Sequence, residues 1–173
     1  EILASGNLVE DELTLAIVDE RLNTLASDGI SSYIFDGFPR TTAQAVGLDQ
    51  LLETRGQKVD AVIELTVPED VLIERMSSRR VCSGCGANYN LAFQTTQRDD
   101  ICDQCGGQLV QRPDDMPGAI RKRLQLYNDL TKPLLDFYGA RGLVTTVDGN
   151  QDVERVQEAI VHVLSAAAIN SEA

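Results

Sequence analysis

Along the chain, apolar residues recur at helical spacing in some stretches and run together in short blocks in others. In EDELTLAIVDERLNTLAS (10–27), Leu13, Ile17, Leu22 and Leu25 fall near a 3.6-residue period with acids in the first turn, which predicts a helix. SYIF (32–35) is a β-prone run that leads directly into DGFPR. Thr41 reads as an N-cap for a helix through about Arg55 with Ala45, Leu48, Leu51 and Leu52 on its apolar side. DAVIELTV (60–67) predicts a second strand, apolar enough for burial on both faces. Pro68 then suits the first position of a helix over EDVLIERMSSRR (69–80).

Pro117 opens a long helical stretch whose core face is Ile120, Leu124, Tyr127, Leu134, Leu135 and Tyr138, with a kink expected at Pro133. LVTTVD (143–148) predicts a third strand and VERVQEAIVHVLSAAA a closing helix, with a frayed tail after Leu164. Strands alternating with helices imply a parallel sheet covered by helices on both faces.

Charge narrows the functional classes. The 173 residues carry 27 acids against 15 bases, a net charge of −12, which opposes general binding to a phosphate backbone. Arginine outnumbers lysine twelve to three, and its planar fork grips phosphate oxygens in pairs. No apolar run reaches membrane-spanning length and no signal peptide is visible, so a cytoplasmic protein is expected.

All four cysteines lie in one segment as C-x2-C-x16-C-x2-C: Cys82, Cys85, Cys102 and Cys105. Four thiolates at this spacing suit tetrahedral zinc, and glycines after each pair let the backbone turn around the sulfurs. The other reading is two disulfides, as in a small secreted scaffold. A four-cysteine site leaves no coordination position open, so the metal is expected to replace a missing core in a segment poor in aliphatics. His162, far along the chain, reads as a surface or partly buried helical residue.

Asp36 stands at the end of a predicted parallel strand, where open α/β sheets bind ligands. Gly37 permits close backbone approach, Pro39 stiffens the turn and Arg40 projects before a helix, so the acid can face a hydrated magnesium while the arginine grips an oxyanion. The same pentapeptide also reads as a capped turn with a surface ion pair. Arg79 and Arg80 precede the cysteine segment, Arg112 follows it, and Arg121 and Arg123 lie in the next helix. Arginines bracketing an insert fit a flap that closes positive charge around a transferring phosphoryl group.

DGFPRT-x-x-QA, the RR-x-CSxC insert, QRPDD and the KRL helix together resemble adenylate kinase in its zinc-bearing long-lid form, from about Ser5 to Leu164. The resemblance implies a P-loop-kinase-like parallel sheet flanked by helices, with a small zinc-binding lid. The divisions implied are residues 1–9 (end of the AMP-binding domain), 10–77 (core), 78–115 (lid) and 116–173 (C-terminal core). It implies reversible, Mg2+-dependent transfer, ATP plus AMP giving two ADP, by a monomer that binds neither nucleic acid nor membrane. Asn7, Leu8, Val9 and the Gly37-Phe38-Pro39-Arg40 turn would bind AMP, with Gln44 reading adenine. Arg79, Arg112 and Arg123 would surround the phosphates, with Asp36 and Arg40 completing the catalytic set. Asn88, Tyr89 and Gln151 would meet ATP together with Arg79, while Asp114 and Asp115 would meet lid arginines on closure.

No G-x-x-G-x-G-K-[ST] occurs, although the family begins with that phosphate-cradling loop. The expectation is a fragment without the P-loop and the first strands, and negligible transfer by these 173 residues alone. Ser78, Asn90 and the MPGA helix start also depart from the family pattern. Other classes remain open: a zinc-ribbon binding module, whose surface residues 86–101 here carry one Arg and two Asp, or an inactive pseudoenzyme scaffold.

Overall fold

The computed structural model describes residues 9–93 and 96–171, with side chains through residue 167. They fall into two units, one formed by Val67–Gln125 and the other by Val9–Thr66 with the chain from Leu126 onward.

In the second of these, α1 (Asp11–Ser27) has Asp11 and Glu12 in its first turn, where acids complement the exposed amides. Gly29, at φ 77°, lets the chain reverse so that Ile30 N–H caps Leu25 O. Helix α2 (Thr42–Glu53) begins as expected, the Thr41 hydroxyl accepting Gln44 N–H at 3.1 Å. The two helices share a cluster of Leu22, Leu48 and Leu52. Gly47 permits their close approach, since a Cβ there would lie 2.5 Å from Leu15 Cδ1. Of the apolar residues whose spacing predicts α1, Leu22 packs inward with Val18, while Leu13 and Ile17 are 53% and 56% exposed.

SYIF is not a strand. It runs extended with Tyr33 and Phe35 in the leucine cluster and Ile34 84% exposed, and it has no ladder partner among the described residues. A β-prone run becomes a strand only beside a neighbour to hydrogen-bond.

Strand β1 (Val62–Thr66) pairs in parallel with a strand at Val144–Asp148, in register from Val62 opposite Val144 to Thr66 opposite Asp148. Burial of β1 on both faces does not hold, because Leu65 is 51% exposed. A helix at Pro133–Gly139 packs Leu134 and Tyr138 against Ala45, Val62 and Val144. The irregularity expected at Pro133 is a π turn over Tyr127–Thr131 in which Lys132 N–H reaches Tyr127 O, placed just before the residue that lacks an amide proton. The last helix, Val153–Ser171, packs on the Val144–Asp148 strand and continues past the expected fraying point at Leu164.

The other unit contains α3 (Glu69–Ser77), β2 (Arg79–Cys82), β3 (Asn88–Asn90), β4 (Leu109–Val110), a 3-10 turn at Pro113–Asp115 and α4 (Pro117–Leu126). The remaining elements are then α5 (Pro133–Gly139), β5 (Val144–Asp148) and α6 (Val153–Ser171). Helix α3 is shorter than predicted: Arg79 and Arg80 leave it to pair antiparallel with Asn90 and Tyr89. The small sheet has the order β3-β2-β4. Its core is Cys82, Tyr89, Cys102 and Leu109, two of them sulfur ligands in waiting. No helix of the described residues is long and apolar enough to cross a membrane.

Candidate metal centre and phosphate-site residues

The four cysteine sulfurs lie within 4.8 Å of one another. Cys82 Sγ is 3.4 Å from Cys105 Sγ, and Cys85 Sγ is 3.7 Å from Cys102 Sγ. A disulfide would require about 2.0 Å. The edge of a tetrahedron with Zn–S bonds of about 2.3 Å is about 3.8 Å. The donor set therefore fits a tetrahedral thiolate-bound metal, and the disulfide reading fails because all four cysteines are free.

Two knuckles with matching backbone build the site. Gly86 N–H donates to Cys82 O and Gly106 N–H to Cys102 O, with φ of 75° and 73° at the two glycines. Cys82 N–H donates to Ala87 O and Cys102 N–H to Gly107 O, closing each turn. Amides of Gly84 and Cys85 point at Cys82 Sγ, and that of Gly107 at Cys105 Sγ. A side chain at Gly107 would collide with the sulfurs, its Cβ lying 2.9 Å from Cys82 Sγ.

Tyr89 is 5% exposed, with its hydroxyl 3.3 Å from Cys102 Sγ. That bond, aided by backbone amides and opposed by burial, holds the Cys102 thiol down at about 6. The amide of Gly107 draws Cys105 down, but the neighbouring sulfurs and burial outweigh it and push the thiol up to about 12. Sulfurs this crowded do not all ionise without a cation among them.

Arg79, Arg112 and Arg123, the arginines read as phosphate ligands, converge on Asp114 and Asp115. Arg79 forms a fork with Asp115, Nε to Oδ2 at 2.7 Å and Nη2 to Oδ1 at 2.5 Å. Arg112 forms a second with Asp114, at 2.8 and 2.9 Å. Arg123 Nη1 lies 3.3 Å from Asp114 Oδ2 and 3.6 Å from Asp115 Oδ1. Asp115 is fully buried, yet the three guanidinium side chains keep between 30% and 48% of their surface exposed. Burial pulls the Asp114 carboxyl upward, and the bonds and charge of Arg112 outweigh it, so the carboxyl stays below its ordinary value. Hydrogen bonds that Arg79 donates to Asp115 hold its proton more firmly than usual against the opposing effect of burial. Gln111, which the sequence did not single out, braces the corner by donating to Ser77 O and Asp115 O.

In the other unit Asp36 is exposed, and Gly37 at φ 71° turns the chain so that Arg40 Nε donates to Gly37 O at 2.6 Å. A Cβ at Gly37 would lie 2.9 Å from Arg40 Nη2. The Phe38–Pro39 peptide is cis, and Phe38 packs against the leucine cluster. Gln44 is 3% exposed and held at both ends: its Oε1 accepts Arg40 N–H at 2.8 Å and its Nε2 donates to Asp11 Oδ1 at 2.8 Å. Asp11 had been read only as a first-turn acid. Asn88 and Gln151 are exposed, the latter donating to Asp148 O. Val9 is half-buried, while Asn7 and Leu8 lie outside the described residues.

A parallel sheet flanked by helices, a metal-fitting ribbon inserted in the chain and arginines gathered beside it fit the P-loop-kinase-like α/β class, in which the cysteine cluster fits a lid. The family profile described as adenylate kinase matches residues 1–143. The adenylate kinase of Moorella thermoacetica is 45% identical over 158 residues, covering 91% of this chain and 72% of that protein. Those of Archaeoglobus fulgidus and Caldicellulosiruptor bescii are 43% and 40% identical over 164 residues, each covering 95% of this chain and 75% of the relative. The chain belongs to the adenylate kinase family, a family of nucleoside monophosphate kinases.

Proposed function

We propose that the chain serves reversible, magnesium-dependent phosphoryl transfer in which ATP and AMP give two ADP. The observation that carries this reading is the gathering of Arg79, Arg112 and Arg123 on two carboxylates with their guanidiniums still partly open. Phosphoryl transfer needs charge held in place more than it needs covalent help, and the acids position the arginines before substrate arrives.

Residues 78–115 are the lid in this reading, and residues 1–9, 10–77 and 116–173 are the AMP-side end and the two parts of the core. Gly37 to Arg40 hold the AMP phosphate, with Val9 and Gln44 at the adenosine. Asn88, the backbone at Tyr89 and Gln151 meet ATP. Magnesium arrives with ATP and offsets charge on the β- and γ-phosphates. Exposed Asp36 suits the outer water shell of that ion. Zinc in the four-thiolate site is structural, since all four positions are taken by protein.

Calorimetric titration of the chain with AMP, GMP and CMP tests the assignment. AMP is expected to bind tightest, and Arg40→Met to weaken it by about tenfold or more through loss of a charged hydrogen bond. Equal affinity for the three nucleotides, or no effect of Arg40→Met, overturns it. The 173 residues contain no G-x-x-G-x-G-K-[ST], so nothing in them cradles the β-phosphate and turnover by this chain alone is expected to be negligible. ADP formation at an ordinary enzymatic rate would refute that expectation.

A further inference from the structure

Tyr89, which the family resemblance places at a nucleotide face, has its side chain in the core of the small sheet. The ring is buried with Cys82, Cys102 and Leu109. Its Oη lies 3.3 Å from Cys102 Sγ, and the backbone N–H of Asp103 donates to the same Oη at 3.1 Å. A metal-bound thiolate has no proton to give, whereas a phenol has one. With the Asp103 amide filling one acceptor position of Oη, the phenolic proton is directed at sulfur.

Four thiolates around a divalent ion leave two excess negative charges, and every donor aimed at a sulfur spreads them. Cys82 and Cys105 draw on backbone amides for this. Cys102, 1% exposed, draws on Tyr89 in addition to backbone amides, and burial keeps water from competing for that bond. The same side chain belongs to β3, so the bond ties that strand to the metal.

We infer that Tyr89 is a positioning residue of the metal centre: its hydroxyl donates to the Cys102 thiolate, strengthens metal binding and pins β3 to the second cysteine pair. The inference rests on the four cysteines holding zinc, and the test separates the two. The whole chain is loaded with Zn2+, and its affinity is measured by competition with a chromophoric chelator. Co2+ substitution reports the sulfur-to-metal charge-transfer band. Tyr89→Phe is expected to weaken zinc binding by about 10- to 100-fold and to shift the cobalt band. Leu109→Ala, which removes packing from the same cluster but no donor, is expected to lower thermal stability while keeping zinc affinity within about threefold of the parent.

Should Tyr89→Phe fail to fold, 3-fluorotyrosine placed at position 89 decides the matter. It keeps the shape and is the stronger donor, so it is expected to release zinc to the chelator more slowly than the parent. Parental affinity and an unchanged cobalt band in Tyr89→Phe overturn the inference. Equal losses in Tyr89→Phe and Leu109→Ala do the same, because packing would then be the cause, as would unaltered release from the fluorotyrosine protein. If the parent chain binds no zinc, the metal reading itself falls and takes the inference with it.

Discussion

The Arg79 guanidinium lies flat against the Asp115 carboxylate in a two-bond fork, with the acid fully buried and the arginine 30% exposed. The two residues are 36 positions apart, at the start of β2 and in the turn before α4, so the pair closes the whole cysteine segment at its base. Asp115→Ala removes both bonds of the fork, leaves Arg79 with only Asp114 at 3.8 Å, and is expected to destabilise the Val67–Gln125 unit by about 3 kcal/mol. Urea unfolding followed by amide exchange in β2 measures this; a loss below that of an ordinary surface ion pair would show that the fork contributes little.

Asp11 Oδ1 accepts from both Thr41 Oγ1 and Gln44 Nε2, at 3.0 and 2.8 Å. Asp11→Ala strands a buried amide and a capping hydroxyl, with an expected cost of about 1–3 kcal/mol. Asp11→Asn keeps one acceptor and is expected to cost less. Chemical denaturation of both variants ranks them, and equal losses would mean that charge rather than the acceptor matters.

Removal of the metal by a strong chelator is expected to expose the amides of β3 and β4 to exchange, while β1 and β5 keep their protection. The ribbon's core contains one aliphatic residue, Leu109, beside Tyr89 and two cysteines, too little apolar surface to hold three short strands without the ion. Hydrogen-exchange mass spectrometry with and without chelator checks the expectation, and unchanged protection in β3 would count against it.

Tyr138 carries a buried hydroxyl with no hydrogen-bond partner among the described residues. Tyr138→Phe is therefore expected to be neutral or to stabilise by about 1 kcal/mol. Burial, with a smaller push from Asp49 and an opposing pull from Arg141, raises the phenol to about 12. An unfolded tyrosine releases its proton near pH 10, so between about 10 and 12 unfolding liberates a proton. Over that interval Tyr138 makes stability fall as pH rises, by about 1.4 kcal/mol per pH unit at most. Denaturation of the parent and Tyr138→Phe at pH 9 and pH 11 should show this extra loss in the parent alone.

Local chemistry was legible without coordinates. Thr41 announced its helix because a cap is a matter of neighbours three residues apart, and the cysteine spacing announced a metal because each C-x2-C folds on itself around a glycine. Both β1 and β5 were visible as β-branched runs, and the π turn falls where Pro133 removes an amide proton. DGFPR marked a turn whose glycine does need a positive φ.

What remained hidden depends on partners distant in the chain. Periodicity in α1 shows that apolar residues recur, not which of them find cover: Leu13 and Ile17 stay exposed while Val18 packs with Leu22. SYIF has the composition of a strand, but a ladder belongs to two segments and no second one is present among the described residues. Asp11 looked like any first-turn acid until Gln44 met it 33 positions later. Tyr89 carried no sign of which way its hydroxyl points. Sequence by itself determined the four-cysteine pattern that fits a metal, the Thr41 cap and the family, because these are set by residue type and short spacing. Tertiary structure alone decided which acid each arginine meets and which sulfur the tyrosine touches, because a hydrogen bond is made between atoms that only folding brings together.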